Sequence, residues 1–229
     1  MPDTTEYRIR PIARIRSDLP TKFGIPRQAG LVEELEAAVV FEPEYRNPDA
    51  LRGLEGFTHI WLIWQFSEAL REGWSPTVRP PRLGGNTRMG VFATRSPFRP
   101  NALGLSCVRL LAVEKDAAPG PVLRVAGADL MDGTPIFDIK PYLPYADCRP
   151  EAAGGFAPDA GRTLAVVYAA GMEESLPADK RAALTGLLAR DPRPPYQNDP
   201  ARVYVLPFAG REVRFRVEGE TVIVLSAVP

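Results

Sequence analysis

The sequence predicts a mainly β protein, an N-terminal β-barrel followed by a small α+β domain, and three observations carry that expectation. Short apolar runs rich in β-branched and aromatic residues, each bounded by Gly, Pro, Asn or Asp, recur through the first two-thirds of the 229 residues. The composition then changes at Glu151-Ala-Ala-Gly-Gly-Phe-Ala-Pro-Asp-Ala-Gly161, which reads as a linker. Beyond it one helical pattern sits among four further strand patterns. The expected domains are 1–150 and 151–229.

In order, the first strands are expected at 7–15, 37–41, 58–66, 89–93, 105–113, 122–128 and 136–142. Seven such strands with few helices suggest a barrel. The run 57–66 is nearly all apolar, so that strand is expected to be covered on both faces. A short helix is expected over 48–54, because Asn47 is placed to accept from first-turn amides and Pro48 suits the first helical position. In the second unit a strand is expected over 163–169 and a helix over 178–189, where Leu184, Leu187 and Leu188 share a face and Pro192 prevents continuation. Strands over 203–207, 213–217 and 222–225 complete it. In the middle one Val213, Phe215 and Val217 alternate with Arg214, Arg216 and Glu218, the pattern of a sheet with one buried face.

With 45% hydrophobic and 24% charged residues the chain has ordinary globular composition and can bury a core without staples. Cys107 and Cys148 form no CxxC pair, and no long apolar run or signal-peptide pattern opens the chain. A cytoplasmic, reducing location is therefore expected. A single histidine, His59, and two distant cysteines provide no ligand set for zinc, so no metal is expected. His59 reads as a core residue on an apolar strand, and Cys107 as a buried, inert thiol. The 28 basic residues equal the 28 acidic ones, which argues against an indiscriminate nucleic-acid coat but permits a local patch.

Such a patch stands in 79–113, where Arg79, Arg82, Arg88, Arg95, Arg99 and Arg109 occur without one Asp or Glu. Prolines and glycines fix the loops around a short apolar run, so the guanidinium groups are presented on rigid supports. Phosphates and carboxylates are gripped that way.

The same stretch reads GVFATRSPFRPNALGLS (90–106), and DGTPIFDIKPYLPYAD follows at 132–147. FGIPRQAGL (23–31) and RGLEGFTHIWLIWQF (52–66), leading into GWSPTVRPPRLGGNTRMG (73–90), complete four long motifs in order, with a weaker echo in DPRPPY (191–196). This pattern resembles the TrmO family, also described as YaeB-like or TsaA-like, almost continuously over 7–147. The resemblance implies a methyltransferase that uses S-adenosylmethionine to act on N6 of threonylcarbamoyladenosine beside the anticodon of threonine tRNA. It also implies a homodimer. No glycine-rich turn joins a first strand to a helix, so the expected scaffold is a non-Rossmann barrel that holds its cofactor in loops.

The residues themselves leave alternatives open. Arg27 and Gln28, in a turn set by Gly24 and Pro26, suit a ligand with carboxylate and amide edges, or are an exposed loop. Ser67 and Glu68 follow a strand end where a site can form, or are a plain turn. Arg95, Arg99 and Asn101, spaced by Pro97 and Pro100, are a fixed fan of donors or an arginine-rich surface loop. Asp132-Gly133-Thr134-Pro135 is a turn sequence whose Asp accepts from its own backbone, or whose carboxylate faces a cationic or amino group. Asp138, Lys140 and Tyr142 alternate along one strand and share a face, an active-site floor or a solvated surface.

By resemblance, Pro26, Arg27, Gln28, Ser67, Glu68, Arg95, Leu105 and 132–135 belong to the cofactor pocket. This chain departs from the family at Ser67-Glu68, where many members carry a histidine. Arg99, Asn101, Lys140 and Tyr142 are placed with the substrate. Asp138 and Asp147 are the candidates for removing the N6 proton, a proton that the adjoining carbonyl makes more acidic. Arg202, Arg211, Arg214 and Arg216 of the second unit would help hold the anticodon arm. A catalytically inactive RNA-binding protein, or a regulatory protein binding an adenosine metabolite, is the rival reading.

Overall fold

The computed structural model describes residues 7–172, 176–194 and 197–229. Its first part is built from β1 (Ala13–Arg16), β2 (Glu36–Phe41), β3 (His59–Gln65), β4 (Thr77–Val78), β5 (Met89–Gly90), β6 (Leu103–Glu114), β7 (Val122–Ala126) and β8 (Pro135–Pro141). Six of these close into a barrel in the order β1-β2-β7-β6-β3-β8, with every neighbour antiparallel. Period-2 alternation sends Ile15, Val39, Ile60, Leu62, Val108, Val125 and Ile136 into a shared interior. Closure leaves no open edge on the barrel.

The antiparallel order has a consequence for function. The C-terminal ends of β1, β3 and β7 and the N-terminal ends of β2, β6 and β8 all lie at one end of the barrel. Arg16 pairs with Ala38, Gln65 with Leu103, Ala126 with Glu36 and Arg14 with Pro135. The loops 17–35, 66–102 and 127–134 therefore emerge together.

After β8 come a single helical turn, α1 (Pro144–Asp147), and then β9 (Ala165–Tyr168), α2 (Ala178–Ala189), β10 (Tyr204–Phe208), β11 (Arg211–Glu218) and β12 (Thr221–Val228). The sheet order is β10-β11-β12-β9, and β9 lies parallel to β12. Leu184, Leu187 and Leu188 of α2 pack with Phe208, Phe215 and Val224 in a second core. The loop 17–35 adds Leu19, Val32 and Leu35 to that core. Lys180 and Arg190 of the helical segment reach back to Asp18 and to the carbonyl of Leu31. Gly24, at φ +88°, lies so close to Leu206 that an added Cβ would come within 2.3 Å of its Cδ1. Only glycine fits there.

Several expectations are corrected. Strand β1 begins at Ala13, and residues 7–12 lie outside any strand. The expected strand 89–93 is only Met89–Gly90, paired with Thr77–Val78 in a separate two-stranded ribbon, and Val91–Ala93 turn as a 3-10 helix. Six strands, not seven, form the barrel. The helix expected over 48–54 is two 3-10 turns, Pro48–Leu51 and Leu54–Gly56; Gly53, at φ +88°, separates them. Asn47 does accept from Asp49 N, at 3.0 Å. Strand β3 is buried on one face only, with His59, Trp61, Ile63 and Gln65 half-exposed on the other. His59 is thus not a core residue; it lies beside Tyr142 and within 3.0 Å of Thr58 Oγ1. Cys107 is half-buried on the same outer face rather than in the core.

Candidate active site

The loops at the common end of the barrel gather most of the sequence-predicted positions. Gln28 Oε1 accepts from the Arg95 guanidinium, and Gln28 Nε2 donates to the carbonyl of Arg27. Two motifs 67 residues apart are thereby joined. Pro26, which fixes that turn, is buried, whereas Arg27 is exposed. Phe66 N donates to the Ala102 carbonyl at 2.9 Å, tying the exit of β3 to the entry of β6. Ser67 and Glu68 follow directly in a 3-10 turn and are exposed. Asn101 is exposed beside them. Arg99 bends inward, donating to the carbonyls of Thr94 at 2.6 Å and Val91 at 3.3 Å, so it also braces its own loop.

The turn 131–134 completes this end. Thr134 Oγ1 donates to Met131 O at 2.7 Å, and Gly133 takes φ +78°. Asp132 does not cap its own turn; it accepts from Ser17 N at 3.0 Å and lies 3.6 Å from Arg16 Nη1. Thr134 and Pro135 are buried.

A second group lies along the outer face of the barrel. Cross-strand pairing sets Leu105, Ile63 and Asp138 in one row and Cys107, Trp61 and Lys140 in the next. Directly opposite residues share a face. Lys140 Nζ is 2.9 Å from Asp138 Oδ2, and Ile139 N donates to Asp138 Oδ1 at 2.9 Å. Tyr142 packs 5.9 Å from the Trp61 ring. Trp61 Nε1 donates to Asp147 Oδ2 at 3.1 Å, and Leu143 N donates to the same oxygen at 2.8 Å. The Leu143 amide and then the Trp61 indole hold the Asp147 carboxyl below its ordinary range. Burial, then the Asp147 charge, pushes the Cys107 thiol up, which suits an inert group.

Strand β8 connects the two groups, and from Pro135 to Pro141 it spans roughly 20 Å at about 3.3 Å per residue. Within one chain, Asp132–Pro135 and Arg95 are therefore together at the barrel end. Lys140, Tyr142 and Asp147 lie farther along the wall.

One residue of this neighbourhood escaped the sequence reading. Asp129 accepts from Ser106 Oγ at 2.5 Å, and Ser106 Oγ accepts from Trp64 Nε1 at 2.9 Å. Burial raises the Asp129 carboxyl above its usual range, opposed by the Ser106 hydroxyl, the backbone of Asp129 and Ala29, and the charge of Arg95. A part-buried carboxyl with a raised pKa beside the Gln28–Arg95 contact is the kind of group that gathers at functional sites. The only signal in sequence was a lone Asp between Ala128 and Leu130 in an apolar stretch.

Comparison with known proteins bears directly on this geometry. The family model described as tRNA-methyltransferase O N-terminal domain matches residues 14–148, and that of the TrmO C-terminal domain matches 162–229. The chain belongs to the tRNA-methyltransferase O family. It is 42% identical over 224 residues to the tRNA (adenine(37)-N6)-methyltransferase of Escherichia coli K12, covering 93% of this chain and 94% of that one. To the enzyme of the same name from Eikenella corrodens it is 50% identical over 163 residues, covering 71% and 92%. The crystal structure of TrmO from Pseudomonas aeruginosa superposes with a TM-score of 0.81 at 30% identity, covering 99% of this chain and all of that one.

For a tRNA-methyltransferase O family member the barrel end offers groups suited to S-adenosylmethionine. Arg27 and Arg95 carry guanidinium groups there, Asp132 and Glu68 carry carboxylates, and Leu103 and Leu105 expose apolar surface at the same end. In the C-terminal unit, Arg214 and Arg216 pair with Glu212 and Glu218 of their own strand, and Arg202 lies over the Tyr204 ring. Their contribution to a basic surface is partly cancelled. Among the described residues no cluster of His, Cys, Asp or Glu is placed to hold a metal ion, and no helix is long and apolar enough to cross a membrane.

Proposed function

We propose that this protein uses S-adenosylmethionine to methylate N6 of threonylcarbamoyladenosine at the position next to the anticodon of threonine tRNA, in the cytoplasm. The observation that carries the reading is the near full-length relationship to tRNA (adenine(37)-N6)-methyltransferases, with the recognisable motifs meeting at one barrel end. The two family-model matches support a division near residue 150 into a β-barrel methyltransferase domain and a C-terminal α+β domain.

S-adenosylmethionine supplies an electrophilic methyl group on a sulfonium centre. The chain supplies position and charge. Arg27, Gln28 and Arg95 orient the carboxylate end, Ser67, Glu68, Leu105 and Asp132–Pro135 border the remainder, and Arg99 and Asn101 face the RNA. Methyl transfer needs the N6 lone pair in line with the breaking bond, so holding both partners in register is the main contribution to rate. Asp138 and Asp147 are the carboxylates proposed to take the N6 proton, with Lys140 and Tyr142 beside them at the base.

We further propose a homodimer in which this outer face of one subunit lies against the loop end of its partner. The exposed Leu105 and Tyr145 on and beside that face support it, since exposed apolar groups gathered on one face mark contact surfaces. The test is nucleoside mass spectrometry after incubating protein, S-adenosylmethionine and threonine tRNA with or without threonylcarbamoyladenosine. A gain of one methyl on the modified nucleoside alone is expected. Cofactor binding without a gain on either tRNA would transfer the assignment to an inactive RNA-binding or metabolite-sensing protein.

A further inference from the structure

Between β3 and β6 the chain leaves the barrel end, runs through residues 66–102 and returns to the same end. On this excursion Trp74 is 54% exposed and Phe92 is 71% exposed, and their rings lie 6.1 Å apart at 33°. The pair is not a flexible accident. The β4–β5 ribbon pairs Thr77 with Gly90, and Val91 N donates to Pro76 O at 2.9 Å, so the segments carrying the two rings are held side by side. Arg88 Nη1 donates to Thr77 Oγ1 on the same ribbon.

Guanidinium groups lie close to exposed rings of this excursion. The Arg99 guanidinium is 5.8 Å from the Phe92 centroid, and Arg71 stacks 3.8 Å over Phe98, a ring also exposed. Glu68 and Glu72 stand before Trp74, but from Gly73 to Val113 there is no acid and there are six arginines, of which Arg82 is paired with Asp159. Solvent-facing aromatic rings cost apolar surface that a fold normally hides, and a second apolar surface would not need guanidinium groups beside them. Unpaired nucleotides do need both. Each presents a π-face to stack and a phosphate to neutralise, and single-stranded RNA loops are held by that combination.

We propose that Trp74 and Phe92 form a stacking platform for unpaired nucleotides of the tRNA anticodon loop, with Arg71, Arg88 and Arg99 on the flanking phosphates. The platform sits on the excursion that also carries Ser67, Glu68 and Arg95, so it receives bases neighbouring the one to be methylated. This inference rests on the tRNA reading above and extends it to how the loop is gripped.

The test uses the full chain and a synthetic anticodon stem-loop RNA, with affinity read by fluorescence anisotropy. Calorimetry of S-adenosylmethionine binding and the mass in solution are measured in parallel. Trp74→Ala and Phe92→Ala are each expected to weaken RNA binding roughly 5- to 100-fold, the effect of losing a stacked base at about 1–3 kcal/mol. Trp74→Phe should restore most of it, while cofactor affinity and mass stay unchanged. A variant of lower mass than the wild type would assign the rings to contact between two copies and overturn the platform. Unchanged RNA affinity in both alanine variants, with the wild type binding normally, would overturn the platform alone. A wild-type protein that binds no stem-loop would overturn the tRNA reading and the platform with it.

Discussion

Ser106 donates its hydroxyl to the part-buried carboxyl of Asp129 while accepting from the Trp64 indole, so one polar thread crosses from β3 through β6 to the loop after β7. The thread is inside the barrel wall, next to the loop end where Gln28 meets Arg95. Its members differ in what they tolerate. Gly104, two residues before Ser106, faces the Trp64 ring so closely that an added Cβ would lie 2.3 to 2.7 Å from ring atoms. Gly104→Ala is expected to displace Trp64 and cost about 1–3 kcal/mol, as overpacking does. Denaturant unfolding followed by tryptophan fluorescence reads both the loss of stability and the altered indole environment.

Asp129 gives a pH signature. Burial raises its folded pKa above the unfolded value of about 3.9, so through that interval the folded state holds a proton that the unfolded chain has released. Stability therefore falls as pH rises from the unfolded to the folded pKa, opposite in sign to a salt-bridged carboxylate. Asp129→Asn removes the titration. The difference in Tm, wild type minus Asp129→Asn, is expected to decrease between pH 4 and pH 7; a difference that stays flat or increases would show that Asp129 is not held in its acid form.

How the chain announced these features differs from place to place. The alternation of Val213, Phe215 and Val217 with charged neighbours declared its buried face, and the apolar leucines of α2 declared theirs, because local period alone decides such faces. β3 misled because Trp61 and Ile63 are apolar yet face outward, a distinction that only the barrel's closure makes. The same closure decides that loops 17–35, 66–102 and 127–134 share an end, which no spacing reveals. The motifs named Gln28 and Arg95 separately; their hydrogen bond belongs to topology. Asp129 and Ser106 were silent because neither residue type is unusual and their pairing crosses 23 residues.

The second unit has its own buried ion pair. Arg193 Nε and Nη2 donate to the two oxygens of Asp191 at 2.7 and 2.9 Å, with the Arg side chain only 6% exposed. Burial alone would raise the Asp191 carboxyl, but the Arg193 hydrogen bonds and the charges of Arg193 and Arg162 outweigh it and hold it low. Its stabilisation is therefore present above the unfolded pKa of about 3.9 and lost as pH falls through the folded value. Arg193→Ala is expected to cost about 2 kcal/mol at neutral pH, since it leaves a half-buried carboxylate with only the more distant Arg162. Thermal unfolding of the two proteins should show the gap closing below about pH 4.

The placement of Arg95 at the barrel end and of Asp138 on the outer wall leads to a complementation test of the proposed homodimer. If each site takes Arg95 from one subunit and Asp138 from the other, Arg95→Ala and Asp138→Asn homodimers are both broken at every site. In a mixed dimer one site then carries both lesions and the other carries neither. Co-expression of the two differently tagged variants, followed by purification through both tags, is expected to recover methyl transfer that neither parent shows. A site built within one chain cannot behave so, because every site in the mixed dimer would retain one lesion. Tandem-purified mixed dimers as inactive as both parents would place Asp138 and Arg95 in the same subunit's site, whereas an Asp138→Asn parent that is itself fully active in single turnover would remove Asp138 from the reaction.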